Sequence, residues 1–202
     1  MKSKNSPRNL NPHPAEPTSP LKKGEVKNSV MRINGFIHLF NTIHGSVAIV
    51  WFKRQGAVKI KEIVISNPEL SAEQRVAVKY PEMFPESCAE VAELAKKIQD
   101  YCKGKPVEFS QDMLDLTEVS EFRKKVYLTL FRTKRGETLS YGELAQRSGY
   151  PRAARAVGTA MKNNPFPFII PCHRVIRSDG SLGGFFGAEE MKELLIEKEM
   201  SS

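Results

Sequence analysis

At 202 residues and 40% apolar content, the chain has enough material for one sizeable core or two small ones. No apolar run approaches the roughly 20 residues of a membrane span, and the N-terminus lacks the apolar centre of a signal peptide, so a membrane partner is excluded. Three cysteines, Cys88, Cys102 and Cys172, make neither a disulfide framework nor a C-x-x-C metal pair, and fit a reducing compartment, cytoplasmic or, in a eukaryote, nuclear. The net charge of +8 is unevenly placed: residues 122–177 hold twelve Lys and Arg against only Glu137 and Glu143. Such a block is either a solvated surface or the footprint of a polyanion.

Residues 1–29 carry five prolines, several lysines and almost no large apolar side chains, and are predicted to be a disordered Pro/Lys-rich tail. Residues 30–112 read as a sheet-and-helix domain. Apolar, β-branched runs at 33–40, 47–52 and 58–65 predict three antiparallel strands, the last alternating Val58 and Ile60 with Lys59 and Lys61. Helices are predicted at 72–80 and 87–102, the second with Val91, Leu94, Ala95, Ile98 and Tyr101 on one face. Cys88 and Cys102 then sit near opposite ends of that helix, about 21 Å apart, beyond disulfide reach, and read as packing residues.

Residues 115–202 read as mostly helical. A helix over 120–134, with Phe122, Val126 and Leu130 as its apolar stripe, ends at Gly136. Ser140-Tyr141-Gly142-Glu143 is a capping box opening a short helix that Gly149 stops. Pro151 suits the first turn of a following helix, Arg152 to Asn163, which Asn164-Pro165 terminates. The pair matches a helix-turn-helix, a pattern shared by other αα-hairpins. Ala153, Ala154, Ala156, Gly158, Thr159 and Ala160 permit close approach to another helix or to nucleic acid, and the local charge, with Arg155 and Lys162 projecting, favours DNA in a groove.

The run Pro165-Phe166-Pro167-Phe168-Ile169-Ile170-Pro171 cannot be an ordinary helix or central strand, because its three prolines remove donors and fix φ. It reads as the apolar wall of a pocket leading to Cys172-His173. Buried cysteine is commonly only a small hydrophobe, but an adjacent basic group is one way to bring a thiol's pKa from about 8.5 towards neutrality. Cys172 is therefore the candidate nucleophile. Beyond it, Arg177 to Gly187 is a glycine-rich loop around Phe185 and Phe186. A closing helix spans Glu189 to Met200, with Met191, Leu194 and Leu195 as its buried stripe and Glu199 at its end.

Ser140-Tyr141, Ala154-Arg155-Ala156-Val157-Gly158, Asn164-Pro165 and Ile170-Pro171-Cys172-His173-Arg174-Val175, in this order, resemble the alkylguanine-DNA alkyltransferases, also called methylated-DNA protein-cysteine methyltransferases. The resemblance runs from about Phe122 to Glu199. It implies an α+β fold, with a ribonuclease-H-like antiparallel sheet and helices followed by a mostly helical, winged-helix-like domain carrying the helix-turn-helix and active-site loop. Residues 115–202 would be the DNA-binding and alkyl-acceptor domain. The implied activity is a suicide repair reaction, in which the alkyl group of O6-alkylguanine, and of O4-methylthymine, moves irreversibly and stoichiometrically to Cys172 after nucleotide flipping. The partner is double-stranded DNA containing alkylated guanine, the protein a monomer, and no cofactor is implied.

By similarity, His173 takes the Cys172 proton through a water while Glu199 orients the imidazole. Tyr141 assists nucleotide rotation and hydrogen-bonds the base, and Arg155 enters the stack. Gly142, Arg123, Tyr150, Ser178 and Lys162 complete the DNA-binding set. Asn164, Met161, Pro167, Val175, Phe185 and Phe186 line the pocket, with the Val175 carbonyl accepting from the guanine amine and the Phe186 amide facing O6. Two departures stand out: Phe185 occupies a place where many relatives have tyrosine, and His13, His38, His44 and Cys88 lack the spacing of a structural zinc site. A non-enzymatic binder of alkylated DNA, a DNA-binding regulator with an inert cysteine, and a cysteine hydrolase are the competing readings.

Overall fold

The computed structural model describes residues 35–201; the predicted tail, the first residues of the first predicted strand and His13 lie outside them. Three predicted strands form as expected: β1 (Gly35–Thr42), β2 (Gly45–Arg54) and β3 (Ala57–Ile65), paired as an antiparallel meander. Strand β2 is the centre of the sheet and is buried on both faces, which is why it reads as an unbroken apolar run rather than an alternation. Val47, Ile49 and Trp51 point into the larger core, and Ala48 and Val50 into a smaller one. One residue is inserted opposite Val50/Trp51, so Val50 pairs with Glu62 and Trp51 with Ile60. A fourth strand, β4 (Phe84–Pro85), pairs in parallel with β1 and has no sequence signal, being only two residues long.

Helix α1 (Ala72–Lys79) covers the smaller core through Ala72 and Val76, and starts on a Ser71–Gln74 capping box. Helix α2 (Ala89–Cys102) buries Val91, Leu94, Ala95, Ile98 and Tyr101 against the other face of the sheet. Its buried stripe matches the expected one. Each fully buried side chain of this size contributes about 1.5–3 kcal/mol. The same buried cluster continues into the second half of the chain, through Val126, Leu144, Val157, Phe166 and Leu195.

Helix α3 (Glu121–Phe131) is shorter than the expected 120–134. Thr133 turns back instead, its N–H and hydroxyl both donating to the Leu130 carbonyl at 3.0 and 2.7 Å and so taking the acceptor the next helical N–H would have used, while the Arg174 guanidinium holds the Thr133 carbonyl and hydroxyl at 2.7 and 3.0 Å. Strand β5 (Leu139–Ser140) leads into α4 (Tyr141–Arg147), with both halves of the Ser140–Glu143 capping box formed. Helix α5 (Ala154–Lys162) begins later than expected, and Pro151 is not in it. Pro151 follows Tyr150 in a turn closed by the Ala153 N–H on the Tyr150 carbonyl at 2.9 Å, the second position of a β-turn, where its fixed φ is equally at home. A 3-10 turn (Cys172–Arg174) runs into β6 (Val175–Ile176), which pairs in parallel with β5.

The closing helix α6 (Glu189–Met200) has the expected bounds but a different buried stripe. Leu194 is 40% exposed, whereas Lys192 is fully buried, in line with Met191, Leu195 and Glu199. The charged residues are drawn inward because partners await them there. Among the described residues no helix is long and apolar enough to cross a membrane.

Candidate active site and nucleic-acid face

The proline-rich approach to Cys172 forms no regular element, yet it is closely tied. The Phe166 N–H donates to Asn164 Oδ1 at 3.0 Å, and the Ile170 N–H to the Phe166 carbonyl at 2.8 Å. Pro171, at φ −77° and ψ 65°, is the centre of an inverse γ-turn closed by the Cys172 N–H on the Ile170 carbonyl at 2.7 Å. Phe166, Phe168, Ile169 and Ile170 are buried around this turn, which presents the cysteine on a rigid apolar support.

The Cys172 sulfur accepts from Asn164 Nδ2 at 3.1 Å, and the other Asn164 amide hydrogen holds the Ile170 carbonyl at 2.9 Å. Among the described residues no hydrogen bond joins the sulfur to the adjacent His173 ring. Adjacency does not lower the thiol's pKa as expected: burial pushes it up to about 11, against the opposing pulls of the Asn164 amide and the Lys192 charge. Cys172 is thus a protonated thiol at neutral pH.

His173 lies wholly inside the protein. Its Nε2 is 3.1 Å from Glu199 Oε1 and 2.9 Å from the Tyr101 hydroxyl oxygen, and the Tyr101 hydroxyl also meets Glu199 Oε1. Burial pushes the Glu199 carboxyl up, but hydrogen bonds from His173, Arg174 and Tyr101 reverse this and hold it far below the usual carboxylate range. An ionised carboxylate only accepts, so the single phenolic proton goes to Glu199 and the phenolic oxygen accepts from Nε2–H. The imidazole therefore carries its proton on Nε2. Its Nδ1 is buried with no hydrogen-bond partner among the described residues. Burial lowers the His173 pKa despite Glu199, which leaves Nδ1 a free lone pair at neutral pH.

Arg174 completes this cluster, donating from Nη2 to Glu199 Oε1 and from Nε to Oε2, both at 2.9 Å. The Gly136 N–H donates to Oε2 at 3.0 Å; Gly136 has φ +76°, and a Cβ there would come 3.3 Å from the Glu199 carbonyl oxygen, so the position suits glycine. Lys192 Nζ donates to the Val175 carbonyl at 2.6 Å and to the Gly183 carbonyl at 3.2 Å. Burial holds Lys192 down to about 8. Lys192 thus occupies one of the two lone pairs of the Val175 carbonyl.

The β5–β6 pair aligns Leu139 with Val175 and Ser140 with Ile176, and so sets Tyr141, the first residue of α4, beside the cysteine turn. Tyr141 also faces Gly183, where a Cβ would fall 2.0 Å from the tyrosine hydroxyl. The α4–α5 hairpin presents Arg152, Ala154, Arg155, Ala156, Thr159 and Lys162 to solvent, while Val157, Ala160 and Met161 face inward. Among the described residues no other helix covers these exposed small residues. Tyr127 donates to the Ala160 carbonyl at 3.0 Å and fastens α3 beneath α5.

Of the residues singled out from sequence, Cys172, His173, Glu199 and Asn164 converge and Phe185 lies edge-on to the His173 ring at 6.4 Å, while Met161, Pro167 and Val175 are buried and Tyr141 half-buried. Phe186 is half-buried at φ +54°. Gly142, Arg155, Lys162 and Ser178 are exposed, Arg123 is partly so, and Tyr150 packs edge-on to Phe122 at 4.9 Å with Lys125 over its ring. Sequence reasoning missed the roles of Tyr101, Arg174 and Lys192 in holding the site. Arg174 lay inside the Pro-Cys-His-Arg motif, whereas Tyr101 and Lys192 had only their places on helices to suggest them. Among the described residues no group of three or more His, Cys, Asp or Glu side chains is placed to hold a metal ion.

Comparison with known proteins places this geometry. A family model described as 6-O-methylguanine DNA methyltransferase, DNA binding domain, matches residues 121–201. A methylated-DNA--protein-cysteine methyltransferase of Methanothermobacter thermautotrophicus is 38% identical over 109 residues, covering 54% of this chain and 61% of the relative. The one from Methanosarcina acetivorans is 36% identical over 124 residues, covering 61% of this chain and 78% of the relative. The chain thus spans well under two thirds of the first relative's length and over three quarters of the second's. The crystal structure of Mycobacterium tuberculosis OGT in complex with DNA superposes with a TM-score of 0.65 at 29% identity, covering 82% of this chain and 93% of that one, and carries the same mixed α+β arrangement.

Proposed function

The chain belongs to the methylated-DNA protein-cysteine methyltransferase family, and we propose that it repairs DNA by taking the alkyl group of O6-alkylguanine onto Cys172 in a single irreversible turnover. O4-methylthymine would be a second substrate. The observation that carries this reading is a buried thiol beside Asn164, followed in sequence by an imidazole whose free nitrogen is Nδ1 and whose other nitrogen is fixed by Glu199.

In the proposed reaction the Cys172 sulfur attacks the alkyl carbon, the S–C bond forms as the C–O6 bond breaks, and guanine leaves. The thiol proton passes, through a water, to His173 Nδ1 and ends on the departing guanine, so protons balance and an S-alkylcysteine remains. Because both thiol and imidazole start neutral, little charge is buried in advance, and the imidazolium that forms is stabilised by Glu199. The nearby Lys192 charge favours the transient thiolate. A thioether has no easy route back to thiol, which makes the protein a stoichiometric reagent.

A base inside a duplex cannot reach a buried sulfur, so the nucleotide is flipped, at a few kcal/mol of unstacking. The exposed, small-residue face of α5 supports close approach to DNA. In this reading Arg155 fills the vacated stack, Tyr141 turns and hydrogen-bonds the base, and Gly142, Arg123, Tyr150, Ser178 and Lys162 contact the strand. Met161, Pro167, Val175, Phe185 and Phe186 wall the pocket, with the second lone pair of the Val175 carbonyl taking the guanine amine and the Phe186 amide facing O6. Residues 115–202 then serve as the DNA-binding and alkyl-acceptor part, with a winged-helix-like character. Residues 30–112 form the supporting part, whose meander with a parallel β4 supports a ribonuclease-H-like description. The protein acts as a monomer in the cytoplasm, or in the nucleus of a eukaryote.

The test is the mass of the intact protein after incubation with duplex DNA containing O6-methylguanine. One methyl group in place of one hydrogen, mapped to Cys172, complete at one equivalent and lost in Cys172→Ala, is expected. Repeated turnovers, or an unmodified Cys172, would sink the reading.

A further inference from the structure

Tyr101 belongs to α2, far in sequence from the cysteine turn, yet its hydroxyl lies at the centre of the proton-handling cluster. It contacts His173 Nε2 at 2.9 Å and Glu199 Oε1, and both bonds are buried. Three neighbours pack the ring: Phe109 edge-on at 5.5 Å, Phe168 at 6.4 Å, and the Arg135 guanidinium over it at 5.8 Å. A phenol so confined has little freedom to move its oxygen.

We propose that Tyr101 is a positioning residue for the alkyl-transfer reaction, holding the His173 ring through Nε2–H beside Glu199 so that Nδ1 is kept aimed as the proton acceptor for Cys172. The inference rests on the reading of Cys172 as alkyl acceptor. The charged groups around His173 are Glu199, bonded to Nε2, with Arg174 and Lys192 acting on it through space, and neither Arg174 nor Lys192 forms a hydrogen bond with the ring. Because Nδ1 has no hydrogen-bond partner among the described residues, the hydrogen bonds that hold the ring are all on the Nε2 side. There Glu199 supplies one acceptor at 3.1 Å and Tyr101 the other, shorter one at 2.9 Å. Tyr101 also donates to Glu199 Oε1, tying the two acceptors to each other. Removing the hydroxyl leaves Nε2–H on the Glu199 carboxylate alone, by its longer bond, so the tautomer stays while the ring is held less firmly.

This role assigns work to the sheet-and-helix half of the chain. Burial, and then the charge of Glu199, raise the Tyr101 pKa above its ordinary value, so the phenol stays protonated across the working range and acts as a fixed donor rather than as a proton carrier.

The experiment uses the full chain with histidine labelled with 15N, in wild type and Tyr101→Phe, reading the His173 ring nitrogens by NMR and the single-turnover rate with free O6-benzylguanine. In wild type, His173 is expected as the Nε2–H form. In Tyr101→Phe the Nε2–H form should persist on the Glu199 carboxylate with its Nε2 resonance moved by the lost hydrogen bond, and alkylation should slow by about tenfold, the loss of one hydrogen bond of ordinary strength. An unchanged rate overturns the proposal. So does a slower rate with an unchanged His173 spectrum, since a merely structural loss would give that result. Should Tyr101→Phe fail to fold, the wild-type spectrum still tests it: His173 with its proton on Nδ1 overturns the proposal. Failure of wild type to react with either duplex or free base would instead remove the alkyl-acceptor reading, leaving the tautomer result intact.

Discussion

The outer face of α5 and the turn that carries Cys172 are neighbours along the chain and opposites in physics. Ala154, Arg155, Ala156, Thr159 and Lys162 stand in solvent, whereas Cys172, His173 and Arg174 are buried and bound to one another's partners. On the exposed face each cation acts almost independently, and salt screens it. In the buried cluster Glu199 is shared by His173, Arg174, Tyr101 and Gly136, so no member can be removed without stranding another. In the proposed function this difference separates finding DNA from reacting with it: binding should degrade gradually with substitution, and chemistry abruptly.

The largest effect is expected at Glu199. Glu199→Ala leaves the buried Arg174 unpaired and should destabilise the fold by about 3–5 kcal/mol, as measured by denaturant unfolding, besides abolishing alkylation. A wild-type-like unfolding midpoint would show that the cluster is less coupled than its geometry indicates. The pH dependence has a definite sign: because the Glu199 carboxyl is held below its unfolded value, its contribution is complete above the usual carboxylate range and fades as pH falls below it.

On the other side of the comparison, Arg155→Ala should leave reaction with free alkylguanine unchanged and slow repair in duplex DNA by about tenfold or more, since only the flipped state of the duplex loses support. Equal loss on both substrates would assign Arg155 to the buried cluster's side. The smallest effect is expected for Lys162→Ala. Binding to undamaged duplex should weaken modestly, and the slope of log affinity against log salt should fall by about 1, with alkylation of free base untouched.

Much of this contrast was legible in the sequence. The β-branched runs, the Ser140–Glu143 capping box and the apolar face of α2 predicted their elements because local geometry alone decides them. Cys172, His173, Asn164 and Glu199 were assembled from the family resemblance, and the structure brings them together. Other features depended on contacts that no local pattern encodes. Lysine is normally a surface residue, so the α6 stripe was drawn through Leu194; the buried carbonyls of Val175 and Gly183 draw Lys192 inward instead. Helix α3 stops early because Thr133 folds back onto the Leu130 carbonyl, in a place that Arg174, distant in sequence, holds. Pro151 suits either a helix start or a turn, and the Tyr150–Ala153 hydrogen bond selects the turn. Tyr101 read as one more apolar contact on α2, since the face of a helix shows that a residue is buried but not what its hydroxyl meets.

The central claim is that Cys172 reacts from a neutral thiol by giving its proton to a neutral His173. It is tested most directly by the pH dependence of the single-turnover rate with free O6-benzylguanine. With the thiol pushed up to about 11 and the imidazole held below its ordinary value, the rate should be flat from pH 7.5 down to 6.5 and fall only at lower pH. A rate that drops by about tenfold for each pH unit across that window, as attack by a free thiolate without a base requires, would contradict the account.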